Sequence, residues 1–274
     1  MSGYDFHANA LGVGGLFKSG GVTTSVPSLA SVVLPSTGGE GSAVVENYSR
    51  NGVEFTYAAS RVVGSQVSDE VYSTYADVLI TNLTLFEKFR IAFMQASVSS
   101  TRNVNLPDAQ FEVRAMFRGI QVGDEEIIPS FDIDLCNAPT YLDFANMVQG
   151  RLTDYATAFG HEPTALENAV KTRKPVRGTL ASAVHGRRLG PIRREGTAIR
   201  VPTLGKVHLA EFLFQPGRRR VTLLRLELDK HAIAPPGFGD SDVQNFAPGG
   251  GFASPDSGDI SLASVEGNGS PIGP

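Results

Sequence analysis

Ten basic side chains in two runs are the residues best placed to do chemistry in this chain, and what they offer is a grip on anions. Arg173, Lys174, Arg177, Arg187, Arg188, Arg193 and Arg194 fall within residues 171–195, and Arg218, Arg219 and Arg220 follow as a triplet. Guanidinium and ammonium groups at this density can neutralise phosphates or pair with carboxylates. Between residues 171 and 195 there is no Phe, Tyr or Trp, so stacking on bases is not indicated and nucleic acid is the less favoured partner. A solvated basic loop and a contact to an acidic protein surface, such as another copy of the chain, are the other two readings.

Other chemistries find less support. The five histidines, His7, His161, His185, His208 and His231, are scattered, and His161-Glu162 runs into Pro163 rather than a zinc-binding helix. Gly12-Val13-Gly14-Gly15 lacks both the preceding strand and the third glycine of a phosphate-binding turn. Cys136 is the one cysteine and follows Asp132-Ile133-Asp134 on an expected strand, where a buried inert thiol is the plain reading. Asp240-Ser241-Asp242 opens like a calcium loop but has no glycine at the sixth position and no glutamate at the twelfth. The carboxylates Asp124, Glu125 and Glu126, with Asp132 and Asp134, leave a carboxylate-dependent hydrolase as a third functional class, although a chain without Trp lacks the usual sugar-stacking residue. No catalytic, cofactor-binding or metal-ligating set is assigned.

The net charge of −4 conceals a segregation along the chain. Residues 1–170 carry 9 Lys/Arg against 19 Asp/Glu, residues 171–230 carry 15 against 4, and the remainder carries 0 against 5. Complementary blocks of this kind suggest an electrostatic partner, and a second copy would supply one. A single cysteine excludes an intramolecular disulfide. No run of about 18 apolar residues is present, so no transmembrane segment is expected. The first residues lack a basic stretch followed by an apolar one, so no signal peptide is read and the compartment stays open.

Thirty Gly and 16 Pro in 274 residues call for many turns, which suits short-looped β structure. Two stretches resemble each other. Ala43-Val44-Val45-Glu46-Asn47-Tyr48-Ser49 leads to Phe55, Tyr57 and Ala59-Ser60; Val78-Leu79-Ile80-Thr81-Asn82-Leu83-Thr84 leads to Phe89, Ile91, Phe93 and Ala96-Ser97. Each reads as a hairpin of an apolar strand, an Asn, and an alternating aromatic strand. Thr140-Tyr141-Leu142-Asp143 approximates a capping box, Leu142, Ala145, Val148, Leu152 and Tyr155 recur at helical spacing, and a second helix is expected from Pro163 to Val170. Lys206 to Asp229 reads as a hairpin turning at Pro216-Gly217. With a two-residue turn, Val207, Leu209, Leu213, Leu224, Leu226 and Leu228 share one face and Phe212, Phe214, Val221 and Leu223 the other. A pair apolar on both faces is expected to be central.

The fold class expected is all-β, a sandwich or a solenoid-like stack of hairpins, with one α-helical insertion. Residues 1–21 are a flexible N-terminal arm. Residues 22–230 form the β-rich domain, with the helical insertion at 140–170 and a basic loop at 171–195. Residues 231–274 are a Gly/Pro/Ser/Asp-rich tail with one possible strand, Ile260 to Val265.

Three further segments carry a resemblance. These are Asn82-Leu83-Thr84-Leu85 leading to Ala96-Ser97-Val98, then Phe117-Arg118-Gly119-Ile120-Gln121-Val122, and finally Arg219-Arg220-Val221-Thr222-Leu223-Leu224-Arg225-Leu226-Glu227-Leu228. In these the chain resembles uncharacterised bacterial β-rich proteins of the choice-of-anchor P type. The resemblance implies an envelope- or surface-associated β-protein and brings no catalytic residues. The expected function is non-catalytic: a structural or self-assembling homo-oligomer in which arm and tail order against neighbouring copies. A binding module for an anionic polymer, nucleic acid or acidic polysaccharide, is the alternative.

Overall fold

The computed structural model describes residues 4–19, 22–186, 193–195, 198–201, 204–228 and 259–271. Their strands are β1 (Tyr4–Ser19), β2 (Val22–Val33), β3 (Gly39–Arg50), β4 (Val53–Ser68), β5 (Val71–Leu85), β6 (Phe89–Asn103), β7 (Gln110–Val122) and β8 (Glu125–Phe131). After four helices come β9 (Val176–Thr179), β10 (Ala181–Gly186), β11 (Arg193–Glu195), β12 (Ala198–Val201), β13 (Gly205–Gln215), β14 (Arg218–Leu228) and β15 (Asp259–Pro271). Sheet A has the order β11-β12-β13-β14-β15-β1-β2, with β9 also on β13, and sheet B the order β10-β8-β7-β6-β5-β4-β3. Every described pairing is antiparallel. The two sheets and the helices share one apolar core, so the fold is an all-β sandwich with a helical insertion.

The long strands do not bury one parity of residue throughout. In β5 the buried side chains are Thr74, Ala76, Val78 and Ile80, then Leu83 and Leu85; in β6 they begin at Phe89 and Ile91 and resume at Met94. The change falls on a line across sheet B through Asn47, Thr56, Asn82, Ala92 and Gly119, and Asn47, Asn82 and Gly119 have φ of 53°, 50° and 63°. A left-handed residue turns the backbone over, so the following side chain points where its predecessor's neighbour pointed. Sheet A carries a matching line through Ala30, Gly12, Ala263, Leu223 and Ala210, where Ala30, Ala263 and Ala210 have φ of 45°, 50° and 50°. In both sheets every second strand holds the left-handed residue. Gly12 on the sheet A line lies close to sheet B: a Cβ there would be 3.5 Å from that of Ala58.

This crease explains the near-repeat, because Asn47 and Asn82 are its left-handed residues in β3 and β5, and Asn tolerates that conformation better than most side chains. It also corrects the faces of the β13–β14 hairpin. The Pro216-Gly217 turn is two residues long, as expected, with Gln215 opposite Arg218. Past Ala210 and Leu223 the parity switches, so Val207, Leu209, Phe212, Phe214, Val221, Leu223, Leu224 and Leu226 are all buried. The pair is central, but its apolar residues line one side.

The flexible arm expected at 1–21 is corrected: residues 4–19 form β1, hydrogen-bonded on one side to β2 and on the other to β15. Its glycines mark close approach, since a Cβ on Gly15 would fall 2.3 Å from the Asp259 carbonyl oxygen. The tail expected at 231–274 is corrected in its last part, where residues 259–271 form β15 between β14 and β1. Residues 231–258, with the calcium-like Asp240-Ser241-Asp242, lie outside the described residues. Arm and tail order against each other within one chain, with Asn9 opposite Glu266 and Ala10 opposite Val265.

The insertion contains α1 (Ile133–Asn137), α2 (Tyr141–Gly150), α3 (Leu152–Phe159) and α4 (Pro163–Lys171). Asp132 caps α1 through its side chain, so Cys136 sits on a helix rather than on the expected strand. The Thr140–Asp143 capping box forms, with Asp143 N–H donating to Thr140 Oγ1 at 3.1 Å and Thr140 N–H donating to Asp143 Oδ2 at 3.0 Å. The chain bends at Gly150-Arg151 and separates α2 from α3; Leu142 faces outward while Tyr141, Phe144, Ala145 and Val148 are buried. Residues 171–195, expected as a basic loop, are partly strand. β9 extends sheet A, β10 extends sheet B, and Leu180 between them bonds to both sheets: its N–H donates to Ala210 and its carbonyl accepts from Asp132.

Candidate functional site

Among the described residues the basic side chains do not converge on one patch. Arg173 pairs with Asp108 from the β6–β7 loop and lies 5.6 Å above the Tyr141 ring. Lys174 and Arg177 are exposed. Arg187 and Arg188 lie outside the described residues. For Arg193 and Arg194 only the strand is described, with Arg193 opposite Arg200.

The triplet on β14 divides by strand alternation. Arg219 shares the core face with Val221 and is 1% exposed, with its guanidinium carbon 5.0 Å from the Phe111 ring centroid and 4.5 Å from that of Phe214. It donates through Nη2 to the Thr140 carbonyl at 3.1 Å, tying β14 to the start of α2. Burial pulls its pKa down to about 10, so it stays charged at neutral pH. Arg218, on the opposite face, pairs with Glu266 of β15. Glu266 is almost wholly buried and is also bonded by His7 Nε2 at 2.8 Å. Burial alone would raise its pKa, but the His7 hydrogen bond and the Arg218 charge outweigh that and hold it below the ordinary range. Arg220 is half-buried beside Glu266 in the cross-strand register.

A second charged cluster lies beyond the crease on the same face. Arg225 makes a bidentate contact to Glu211, Nε to Oε2 at 2.7 Å and Nη2 to Oε1 at 2.9 Å, and reaches Asp259 at 3.3 Å. His208 sits 3.4 Å from both Glu211 and Glu227, and burial lowers its pKa despite those carboxylates.

The charge blocks of the sequence therefore meet inside the molecule. Arg173 finds Asp108 of the acidic first part, while Arg218 and Arg225 find Glu266 and Asp259 of the acidic last part. Complementarity that suggested an external partner is in these pairs internal.

Of the carboxylates considered for hydrolysis, Asp132 has a structural role. Asp132 caps α1 and accepts from the Tyr155 hydroxyl at 3.1 Å, and Asp143 closes the capping box. Cys136 is partly buried, and burial pushes its thiol up to about 11, away from nucleophilic thiolate. Among the described residues no group of three or more His, Cys, Asp or Glu is placed to hold a metal ion. No helix among them is long and apolar enough to cross a membrane.

A further surface, which sequence reading did not single out, is the outward face of sheet B. Its side chains stand in cross-strand rows from β3 to β7. Val44, Ala59, Leu79, Gln95 and Met116 form one row; Ser42, Arg61, Asp77, Ser97 and Arg114 form the next. A third holds Glu46, Tyr57, Thr81, Phe93 and Arg118, with Arg118 lying 5.8 Å above the Phe93 ring. Val44 is 54% exposed and Met116 36%. Asp77, at the centre, has its pKa raised by burial against the lowering effect of Arg61. The rows were legible only once both partners of each strand were known.

Compared with known proteins, residues 4–174 match the model of a family described as Domain of unknown function (DUF8256), and the chain belongs to that family. The match takes in all of sheet B except β10, both edge-side strands β1 and β2, and the helices, and stops short of β9. No curated protein and no solved structure matches the chain.

Proposed function

We propose that this DUF8256 member is a non-catalytic structural protein that self-assembles into a homo-oligomer. The observation that carries this reading is the outward face of sheet B. Five long strands hold a row of Val44, Ala59, Leu79 and Met116, interrupted by Gln95, between rows bearing Arg61, Asp77, Arg114 and Glu46. An open sheet face of alternating apolar and charged rows suits contact with a copy of itself better than it suits enclosure of a small substrate. The use of Asp132, Asp143 and Glu266 as caps and internal ion partners supports a non-catalytic role. Envelope or surface placement rests on the resemblance to choice-of-anchor P type proteins alone.

Binding of an anionic polymer is the weaker reading. Lys171, Lys174 and Arg177 are exposed, but Lys171 pairs with Glu167, and Arg173, Arg218 and Arg219 are engaged within the chain. Size-exclusion chromatography with light scattering, across protein concentration and at low and high salt, separates the two. Concentration-dependent oligomers free of nucleic acid support assembly. A monomer that co-purifies with nucleic acid, or that binds a polyanion with strong salt dependence, would overturn it in favour of the second reading.

A further inference from the structure

We propose that β3 is a dimerisation edge, where a second copy adds its own β3 antiparallel across a two-fold axis with Val44 opposite Val44 of the other copy. This rests on the self-assembly reading and names its partner and register. β3 ends sheet B and has one hydrogen-bonded neighbour among the described strands, β4. An open edge offers unpaired N–H and C=O groups to another strand, and proteins commonly block such edges with Lys, Pro or a bulge. Residues 39–46, Gly-Glu-Gly-Ser-Ala-Val-Val-Glu, contain no Lys and no Pro and run without a bulge up to the left-handed Asn47. β2, the sheet A edge beside it, carries Pro27, which has no N–H to offer a further strand.

Side chains on β3 favour an axis on Val44 over one on Ala43. A two-fold axis normal to the sheet must place residues of one face opposite each other. Centring it on Ala43 sets Glu40 against Glu46, a like-charge pair that disfavours pairing. Centring it on Val44 sets Val45 against Ala43 and Glu46 against Ser42. The cross-strand neighbour of Ser42 is Arg61, which pairs with Glu40 of its own chain at 3.4 Å, and the short Ser42 leaves Glu46 of the other copy room to reach the same guanidinium. The apolar row Val44–Ala59–Leu79 then continues into the same row of the partner, and the most exposed valine of that row is covered. Five residues of each strand, 42 to 46, take part before the crease turns the edge away, so the dimer is weak and concentration-dependent.

The test places a cysteine on the axis. In a Cys136→Ser background, Val44→Cys puts two sulfurs on residues whose Cα atoms are about 4.5–5.5 Å apart in a paired register, within disulfide reach. Mild oxidation is expected to give a covalent dimer for Val44→Cys and little for Met116→Cys, at the far end of the same row. Equal cross-linking of both, or of neither, overturns the edge. Light scattering on Val44→Lys supplies the independent arm, with circular dichroism confirming the fold. Loss of the concentration-dependent dimer is expected. If wild type and Val44→Lys assemble alike, the β3 edge is wrong while self-assembly stands; if wild type is monomeric at every concentration, both fail.

Discussion

Asn82 donates from its side-chain amide to Oγ1 of Thr56 at 3.0 Å, and the two are neighbours on the crease of sheet B. Asn82 is left-handed, whereas Thr56 on the adjoining strand is not among the positive-φ residues. The bond joins the two states of the backbone that the crease alternates. Asn82→Gly should cost only the lost hydrogen bond, because glycine adopts the same φ without strain. Asn82→Val should lower stability by about 1–2 kcal/mol for the left-handed conformation, with the lost hydrogen bond in addition. Urea midpoints of the two variants check this; equal midpoints would show that the conformation carries no strain.

Arg219 should behave as a core residue that happens to be charged. Truncation to Ala removes its stacking on Phe111 and Phe214 and its bond to Thr140, for a loss of about 3 kcal/mol. Arg219→Met, which keeps much of the volume and removes the charge, should be clearly less damaging. Thermal melting of both variants decides it, and a more stable Ala than Met would contradict the packing role.

Leu224 is fully buried at the centre of sheet A, opposite Leu209 and Leu262. Leu224→Asp should abolish soluble folding, because an unpaired buried carboxylate costs several kcal/mol. Recovery of soluble protein with native melting would place this strand on an exposed edge.

Acid should weaken the fold in two separable windows. His208 has a folded pKa below its ordinary 6.5, so the unfolded chain takes the proton first and stability begins to fall as pH drops below that value. Glu266 has a folded pKa below its ordinary 4.5, so its contribution is complete above 4.5 and is lost as pH falls through the folded value. Denaturation midpoints measured against pH should lose the upper window in His208→Gln and the lower one in Glu266→Gln. Unchanged profiles in both variants would exclude these groups as the source.

What could be read from the sequence was what neighbouring residues decide. The Thr140–Asp143 cap, Pro163 at a helix start and the Pro216-Gly217 turn are local geometry, and each stands where the residues indicated. The repeated Asn was visible, but its meaning was not, since a crease exists only when five strands lie side by side. Ala30, Ala210 and Ala263 give no local sign of φ near 50°. The glycines of β1 looked like flexibility because the strand that crowds them, β15, is far away in sequence. Arg219 was the exception among the site residues. Alternation with Val221 and Leu223 already put it on the core face, while the density of neighbouring arginines suggested solvent.

His7 and Glu266 touch across 259 positions of sequence, and this sets the order of events at the ribosome. β1 is among the first described strands to emerge, yet one of its two neighbours is the last. Until β15 is synthesised, β1 and β14 each lack a hydrogen-bonded flank, and the core they cover stays open on that side. Sheet B, a meander of consecutive hairpins from β3 to β8, needs no such wait. Sheet A therefore cannot close between β14 and β1 before β15 is made, and in that interval the inner face of sheet B lacks part of its cover.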